Sequence, residues 1–379
     1  CKPLIRCVLR MGTYEIFYMD SVQDHTACNL CVKLAADHGF GSLRGFVNGV
    51  LRNIARNKDS IVIPDQEKDK RAYYSVMYSV PEELLEILER DYDYETIDRI
   101  LASGDSDRPT AIRVNTEKIS VTAFSEKLRQ NGITVERGSM NDTSLLISGY
   151  DYIRKVPGFF DGEFVVQDQS SCLAVKAAGI HEGDLVVDVC AAPGGKTMYA
   201  AMLTGSEGRV ISRDLTDKKA ELIEENIERL GLSNVTVQVH DAREFDEELT
   251  GKADVVIADL PCSGLGIMGR KNDIKYHVSM ESVKELAQLQ REILDTVCRY
   301  VKPGGTLVYS TCTIDSIEND ENAVWFADTH DFSLCGIDDV VPEHGGERGF
   351  VTLHQGIDEC DGFFISKFRA DSNNQIGQE

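Results

Sequence analysis

The sequence predicts an α/β chain with a doubly wound, mostly parallel sheet in its second half, preceded by a small α+β unit and an all-helical segment. Three observations carry this reading. Apolar residues recur at three- and four-residue spacing over residues 1–57, as in VLRMGTYEIFYMD and HTACNLCVKLAADHG. Between 110 and 149, extended blocks flank a single helical run. From about residue 184, strand and helix patterns alternate. A chain of 379 residues also exceeds what one hydrophobic core usually holds, so two or three domains are expected.

Residues 1–62 read as a helical domain and 63–107 as a helical linker. In the linker, the polar stretch NKDSIVIPDQEKDKRA gives way to two short helices over 80–103, the first opened by Pro81 and Glu82. Residues 108–165 form the α+β module, with TAIRVNTEKIS (110–120) and SLLISG (144–149) extended around the helical VTAFSEKLRQNG. Residues 166–370 hold the large sheet. Its strands are LVVDV (185–189), RVIS (209–212), VTVQV (235–239), DVVIAD (254–259) and TLVYS (306–310), with FFISKF (363–368) as a last one. Val283, Leu286, Leu289, Ile293, Val297 and Tyr300 line one face of the helix between the fourth and fifth of these strands. Residues 371–379 read as a disordered tail.

Hydrophobic residues at 42% and charged residues at 27% exclude extensive disorder. No stretch approaches the roughly 18–20 apolar residues that span a bilayer, and no secretory signal opens the chain. Eleven cysteines, odd in number and scattered through apolar segments, argue for reduced thiols in the cytoplasm. Cys28-x-x-Cys31 has no second Cys or His pair nearby, so helix packing is the better reading and no metal is expected. Because the chain begins at Cys1 and not at methionine, an N-terminal trim is expected. The net charge, 40 − 63 = −23, taken alone disfavours nucleic-acid binding. Residues 41–58 nevertheless contain no acid, and Arg44, Arg52 and Arg56 fall on one helix face, either a basic stripe or a solvated surface.

The chemistry begins at VVDVCAAPGGKT, where a buried strand ends in Asp188 and runs into Pro193-Gly194-Gly195-Lys196. Glycines at a strand-to-helix turn let a ligand approach the backbone. The pattern is neither G-x-G-x-x-G nor G-x-x-x-x-G-K-[ST], so neither a dinucleotide nor a nucleoside triphosphate is indicated. Asp188, Asp214, Asp241 and Asp259 end four successive strands, at the edge where open α/β sheets bind ligands. Together they suggest S-adenosylmethionine, whose ribose and amino group want acids and which carries no phosphate. Cys262, in ADLPCSGLG, and Cys312, in YSTCT, stand at the ends of the fourth and fifth strands. A thiolate is the side chain best suited to add to an electron-poor carbon, though either cysteine alone is as well read as core.

DVCAAPGGKT, DLPCSGLG followed by Arg270 and Asp273-Ile274-Lys275, and YSTCTI followed by Glu318 and Glu321 resemble the RNA cytosine-C5 methyltransferases of the NOL1/NOP2/sun family. VQDQSS (166–171) and DGFF (361–364) share the likeness, which covers roughly residues 108–369. Leu260 and Asn272 depart from it, away from any reacting group. The resemblance implies a class I, Rossmann-like S-adenosylmethionine-dependent methyltransferase domain. Cys312 would then be the nucleophile, Cys262 would assist proton removal and product release, and Asp259 would hold the base. Cys190, Ala191, Ala192, Pro193, Gly194, Gly195 and Lys196, with Asp214, Asp241 and Asp259, would bind the cofactor.

VLRMGTYEIFYMD and GFVNGVLRNI resemble the second half of the NusB-like domain fused to bacterial small-subunit rRNA methyltransferases, and IRVNTEK (112–118) resembles an RRM-like module. The expected partner is thus 16S rRNA or a small-subunit assembly intermediate, with cytosine 967 as the type target and a monomer acting on it. Arg44, Arg52, Arg56, Arg113, Arg270 and Lys275 are the candidate RNA contacts, Arg113 being equally well read as a structural salt bridge. A tRNA or other rRNA substrate, and a non-catalytic assembly factor, are the alternatives.

Overall fold

The computed structural model of the protein describes residues 1–105, 108–342 and 346–372 and separates into two compact units, Cys1–Met77 and Tyr78–Glu379. The tail expected over 371–379 lies, from residue 373 onward, outside the described residues.

In the first unit the helical periodicity becomes α1 (Pro3–Tyr18), α2 (Asp24–Ala35), α3 (Arg44–Asn57) and α4 (Lys70–Met77). Ile5, Val8 and Ile16 of α1 pack with Cys28 and Cys31 of α2 and with Val47 and Leu51 of α3. The close approach runs through Gly12, where a β-carbon would lie 2.8 Å from Cys31 Sγ and from a Leu51 methyl. The two cysteines are therefore core residues. Helix α4 begins inside the polar stretch and was not among the two helices read within the linker.

The second unit opens with α5 (Glu82–Asp91) and α6 (Tyr94–Ala102), whose first turn is capped by Asp93 accepting from Thr96 N at 2.8 Å. A four-stranded antiparallel sheet follows, built from β1 (Thr110–Val114), β2 (Thr134–Arg137), β3 (Ser144–Ser148) and β4 (Phe164–Val166) in the order β2-β3-β1-β4. Helix α7 (Val121–Gln130) buries Phe124 and Leu128 on its core.

Next come α8 (Gln169–Ala178), β5 (Leu185–Asp188), α9 (Gly195–Thr204), β6 (Arg209–Asp214), α10 (Asp217–Leu230), β7 (Val235–Val239) and β8 (Ala253–Asp259). After them run α11 (Met280–Val297), β9 (Val301–Thr311), α12 (Asp320–Thr329), β10 (Phe332–Leu334), β11 (Phe350–Leu353) and β12 (Phe363–Ala370). The sheet order is β10-β12-β9-β8-β5-β6-β7, with β11 paired to β12. Strands β5 to β9 are parallel, whereas β12 enters antiparallel to β9.

Alternation with period two sorts the strand residues onto two faces. Val187, Val256, Leu307 and Tyr309 face one core with α11 and α12, while Val186, Val255, Ile257 and Val308 face the other with α8 and α9. From β5 the chain first winds outward to β6 and β7, then returns to β8 and β9 on β5's other side. That reversal opens a crevice at the carboxyl ends of β5 and β8.

Candidate active site

The crevice is a cleft of about 210 Å³, lined among others by Gln167, Asp168, Asp188, Cys190, Ala192, Lys196 and Asp259. One wall is the turn between β5 and α9. Gly194 adopts φ +101° there, a conformation only glycine holds without strain, and its backbone starts the helix. Asp214, buried at the end of β6, braces the turn by accepting from Ala192 N at 2.9 Å and pairing with Lys219 at 2.8 Å. Asp241 stands one strand further out and pairs with Arg243 at 2.7 Å, which holds its carboxyl below the usual range.

The carboxylates on the cleft differ in state. Asp188 is fully buried and accepts from Thr197 Oγ1 at 2.7 Å through one oxygen, while its other oxygen has no partner among the described residues. Burial pushes its pKa up to about 7. Asp259 accepts from Lys196 Nζ at 2.6 Å and Ser310 Oγ at 2.8 Å, so both of its oxygens are aimed. Lys196 is buried, with its ammonium 5.0 Å from the Phe363 ring centroid.

Beside this ion pair the two loops bring Cys262 and Cys312 together, Sγ to Sγ at 3.3 Å. The thiol of Cys262 donating to Cys312 holds the Cys312 pKa below the ordinary cysteine value and pushes Cys262 well above it. Lys196 and Lys271 add to the pull on Cys312. Of the two thiols, Cys312 is therefore the more readily ionised and Cys262 the one that holds its proton more tightly.

The loops are fastened to each other. Ser263 Oγ meets Thr313 Oγ1 at 2.7 Å, and Gly266 N donates to Cys312 O at 3.0 Å. Gly362 N donates in turn to Gly266 O at 2.8 Å, and a β-carbon on Gly266 would lie 2.0 Å from Gly362 O. Glu318 accepts from Ser263 N and from Gln290 Nε2, both at 2.9 Å. Its side chain is buried, its second oxygen has no partner among the described residues, and burial raises its pKa to about 7.

Arg44, Arg52 and Arg56 lie exposed on one face of α3. Arg270 is partly exposed and its guanidinium is held by Asp361 at 2.7 Å. Two candidate RNA contacts are corrected. Arg113 is 1% exposed, donating to Gln167 at 2.8 Å and lying 4.3 Å from the Tyr199 ring centroid, so it is neither a phosphate contact nor a salt bridge. Lys275 is likewise buried, with its ammonium donating to Tyr78 O at 3.2 Å. Sequence reasoning missed what Gln167, Asp168 and Gln290 do. The first two lie in the VQDQSS run already singled out, but Gln290 carries no local signal. Among the described residues no group of three or more His, Cys, Asp or Glu is placed to hold a metal ion, and no helix is long and apolar enough to cross a membrane.

The cleft suits an adenosine-bearing sulfonium: it offers carboxylates, one with an unpartnered oxygen, beside a glycine turn where a ligand can approach the backbone. A doubly wound sheet with this edge defines a Rossmann-like methyltransferase domain. The family described as 16S rRNA methyltransferase RsmB/F matches residues 176–369, the NusB family residues 1–56, and the ferredoxin-like domain of RsmF/B-like methyltransferases residues 80–151. The probable ribosomal RNA small subunit methyltransferase B of Bacillus subtilis is 35% identical over 97% of this chain and 83% of its own. Ribosomal RNA small subunit methyltransferase B of Vibrio cholerae is 31% identical over 95% and 80%. A crystal structure of a methyltransferase homologue from Pyrococcus horikoshii aligns with a TM-score of 0.70 at 26% identity, over 80% of this chain and 99% of that one. The chain belongs to the RsmB/F family of 16S rRNA methyltransferases. It is an S-adenosylmethionine-dependent RNA methyltransferase.

Proposed function

We propose that the chain methylates C5 of a cytosine in 16S rRNA through a transient bond between Cys312 and C6 of that base. One observation carries the reading above the others: two thiols in contact at 3.3 Å, Cys312 the more easily ionised, beside a carboxylate-edged cleft. The names of the B. subtilis and V. cholerae relatives support the small-subunit substrate.

S-adenosylmethionine, when bound, supplies an electrophilic methyl group. The turn Cys190–Lys196, with Asp214, Asp241 and Asp259, would hold it. Cytosine C5 is too weak a nucleophile to take that methyl unaided. The Cys312 thiolate adds to C6 and leaves C5 electron-rich. Asp259, aimed by Lys196 and Ser310, accepts from the N4 amino group and so holds the base against Cys312. Cys262 assists loss of the C5 proton, after which the Cys312–C6 bond breaks. The base must leave its stack to reach the thiols, so a single-stranded stretch is the substrate. Arg44, Arg52, Arg56 and Arg270 are the proposed RNA contacts.

The Cys262→Ala variant tests the assignment. Expressed in a bacterial host, it should accumulate a protein–RNA adduct through Cys312, seen as a shifted band on a denaturing gel and absent from the Cys262→Ala, Cys312→Ala double variant. Sequencing the trapped RNA names the substrate, and a tRNA there would replace the 16S reading. If the single variant binds S-adenosylmethionine by calorimetry yet traps nothing, the two cysteine roles are wrong.

A further inference from the structure

The segment that follows Cys312 is gripped from two sides. One grip is the Cys262 loop described above. The other comes from the end of α5, some 225 residues earlier in the chain. Asp91 accepts from both the backbone N–H and the hydroxyl of Ser316, at 3.0 and 2.7 Å. Arg90 donates to Asp315 at 2.8 Å and to Asp91 at 2.7 Å, bridging the two carboxylates. The Tyr92 hydroxyl donates to Ile314 O at 2.5 Å. Three consecutive residues of the helix end thereby hold three consecutive residues of the loop.

The contacts are sheltered from water. The Asp315 side chain is 0% exposed and that of Asp91 only 12%. Without Arg90, the Asp315 carboxylate would be buried with no opposing charge, a costly arrangement. Thr313, which directly precedes the gripped run, adjoins Cys312 and touches Ser263 beside Cys262. A displacement of residues 314–316 is therefore passed to both thiols.

We propose that Arg90, Asp91 and Tyr92 are positioning residues for the nucleophile, setting Cys312 against Cys262 from a helix that lies outside the methyltransferase sheet. The proposal rests on Cys312 being the nucleophile. It gives the segment between the first unit and the α+β module a catalytic task.

The test compares Arg90→Ala, Asp91→Ala, Arg90→Lys and Tyr92→Phe with the parent full-length chain, using unmodified 16S rRNA transcribed in vitro. A shift of about 1 Å at a reacting group costs on the order of 100-fold, so Arg90→Ala and Asp91→Ala should lower kcat about 10- to 100-fold with KM for RNA and S-adenosylmethionine unchanged. Arg90→Lys should restore part of the loss. A second readout needs no RNA: the pH dependence of Cys312 alkylation by iodoacetamide, followed by peptide mass spectrometry. Its midpoint should move up by about one unit as the proton from Cys262 is lost. Tyr92→Phe, which deletes one hydroxyl, should show a smaller shift in the same direction and serves if the alanine variants fail to fold. The proposal is overturned if the variants that fold keep both kcat and the alkylation midpoint while Cys312→Ala is inactive. If Cys312→Ala still methylates RNA, the nucleophile assignment itself has failed.

Discussion

Each unit of this molecule contains a pair of thiols, and the pairs share little beyond their chemistry. Cys28 and Cys31 are one helical turn apart on α2 and buried among aliphatic side chains, where desolvation raises both pKa values, Cys31 to about 11. Cys262 and Cys312 are fifty residues apart, half-buried in loops, and touching. Burial works against ionisation there too, but a thiol donor and two lysines outweigh it for Cys312. Spacing in sequence is thus a poor guide to thiol reactivity; what decides it is whether the fold supplies a donor to the anion.

The largest effect that sharpens this contrast is on turnover. Cys312→Ala should lower methyl incorporation about 10⁴-fold or more, whereas the Cys28→Ala, Cys31→Ala double variant should stay within about twofold per folded molecule. Scintillation counting of labelled methyl in RNA reads both, and equal losses would erase the distinction.

A second contrast lies in buried charge. Among the described residues the first unit fully buries no charged side chain, while the second buries Glu318 with a pKa raised to about 7 from an ordinary 4.5. A raised carboxyl pKa means the folded state holds the proton more tightly than the unfolded one. Its contribution is fully present below pH 4.5 and is lost as pH rises toward 7. The loss is on the order of 3 kcal/mol, and Glu318→Gln should remove that slope from urea-derived stability measured across the window. Parallel curves for parent and variant would show that Glu318 titrates normally.

Alkylation gives the next effect. At pH 7, iodoacetamide should label Cys312 about 100-fold faster than Cys28 or Cys31, as peptide mapping over time will show. Comparable rates would mean the helical pair is open to solvent. The smallest effect is expected at Gly12, where alanine crowds Cys31 and Leu51 and should cost about 1 kcal/mol in thermal stability. A variant as stable as its parent would mean that the helices move apart freely.

Much of the fold and of the site could be read from the chain. The long parallel strands, ending in Asp188, Asp214 and Asp259, announce themselves by unbroken apolar runs, and the cysteines follow from strand ends facing one edge. Strands β4 and β10 were missed because three residues, Phe164–Val166 and Phe332–Leu334, are too few to show a period. Arg113 misled because nothing in its own stretch shows that Tyr199 of α9 lies over its guanidinium. Contacts between residues far apart in the chain, such as Glu318 with Ser263 or Arg90 with Asp315, depend on how loops cross after the sheet is formed. Nothing in either local stretch encodes them.

The bond from Gly362 to Gly266 also orders events in time. Strand β12 slots between β9 and β10, which are both made before it, and the residue that leads into it, Gly362, holds the Gly266 backbone that in turn binds Cys312 O. A nascent chain that has emerged only as far as β11 already holds both thiols, yet lacks the strand beside Thr311 and the glycine that seats their loops. On the proposed mechanism, the two thiols are therefore seated for reaction only once the last strand of the sheet is in place.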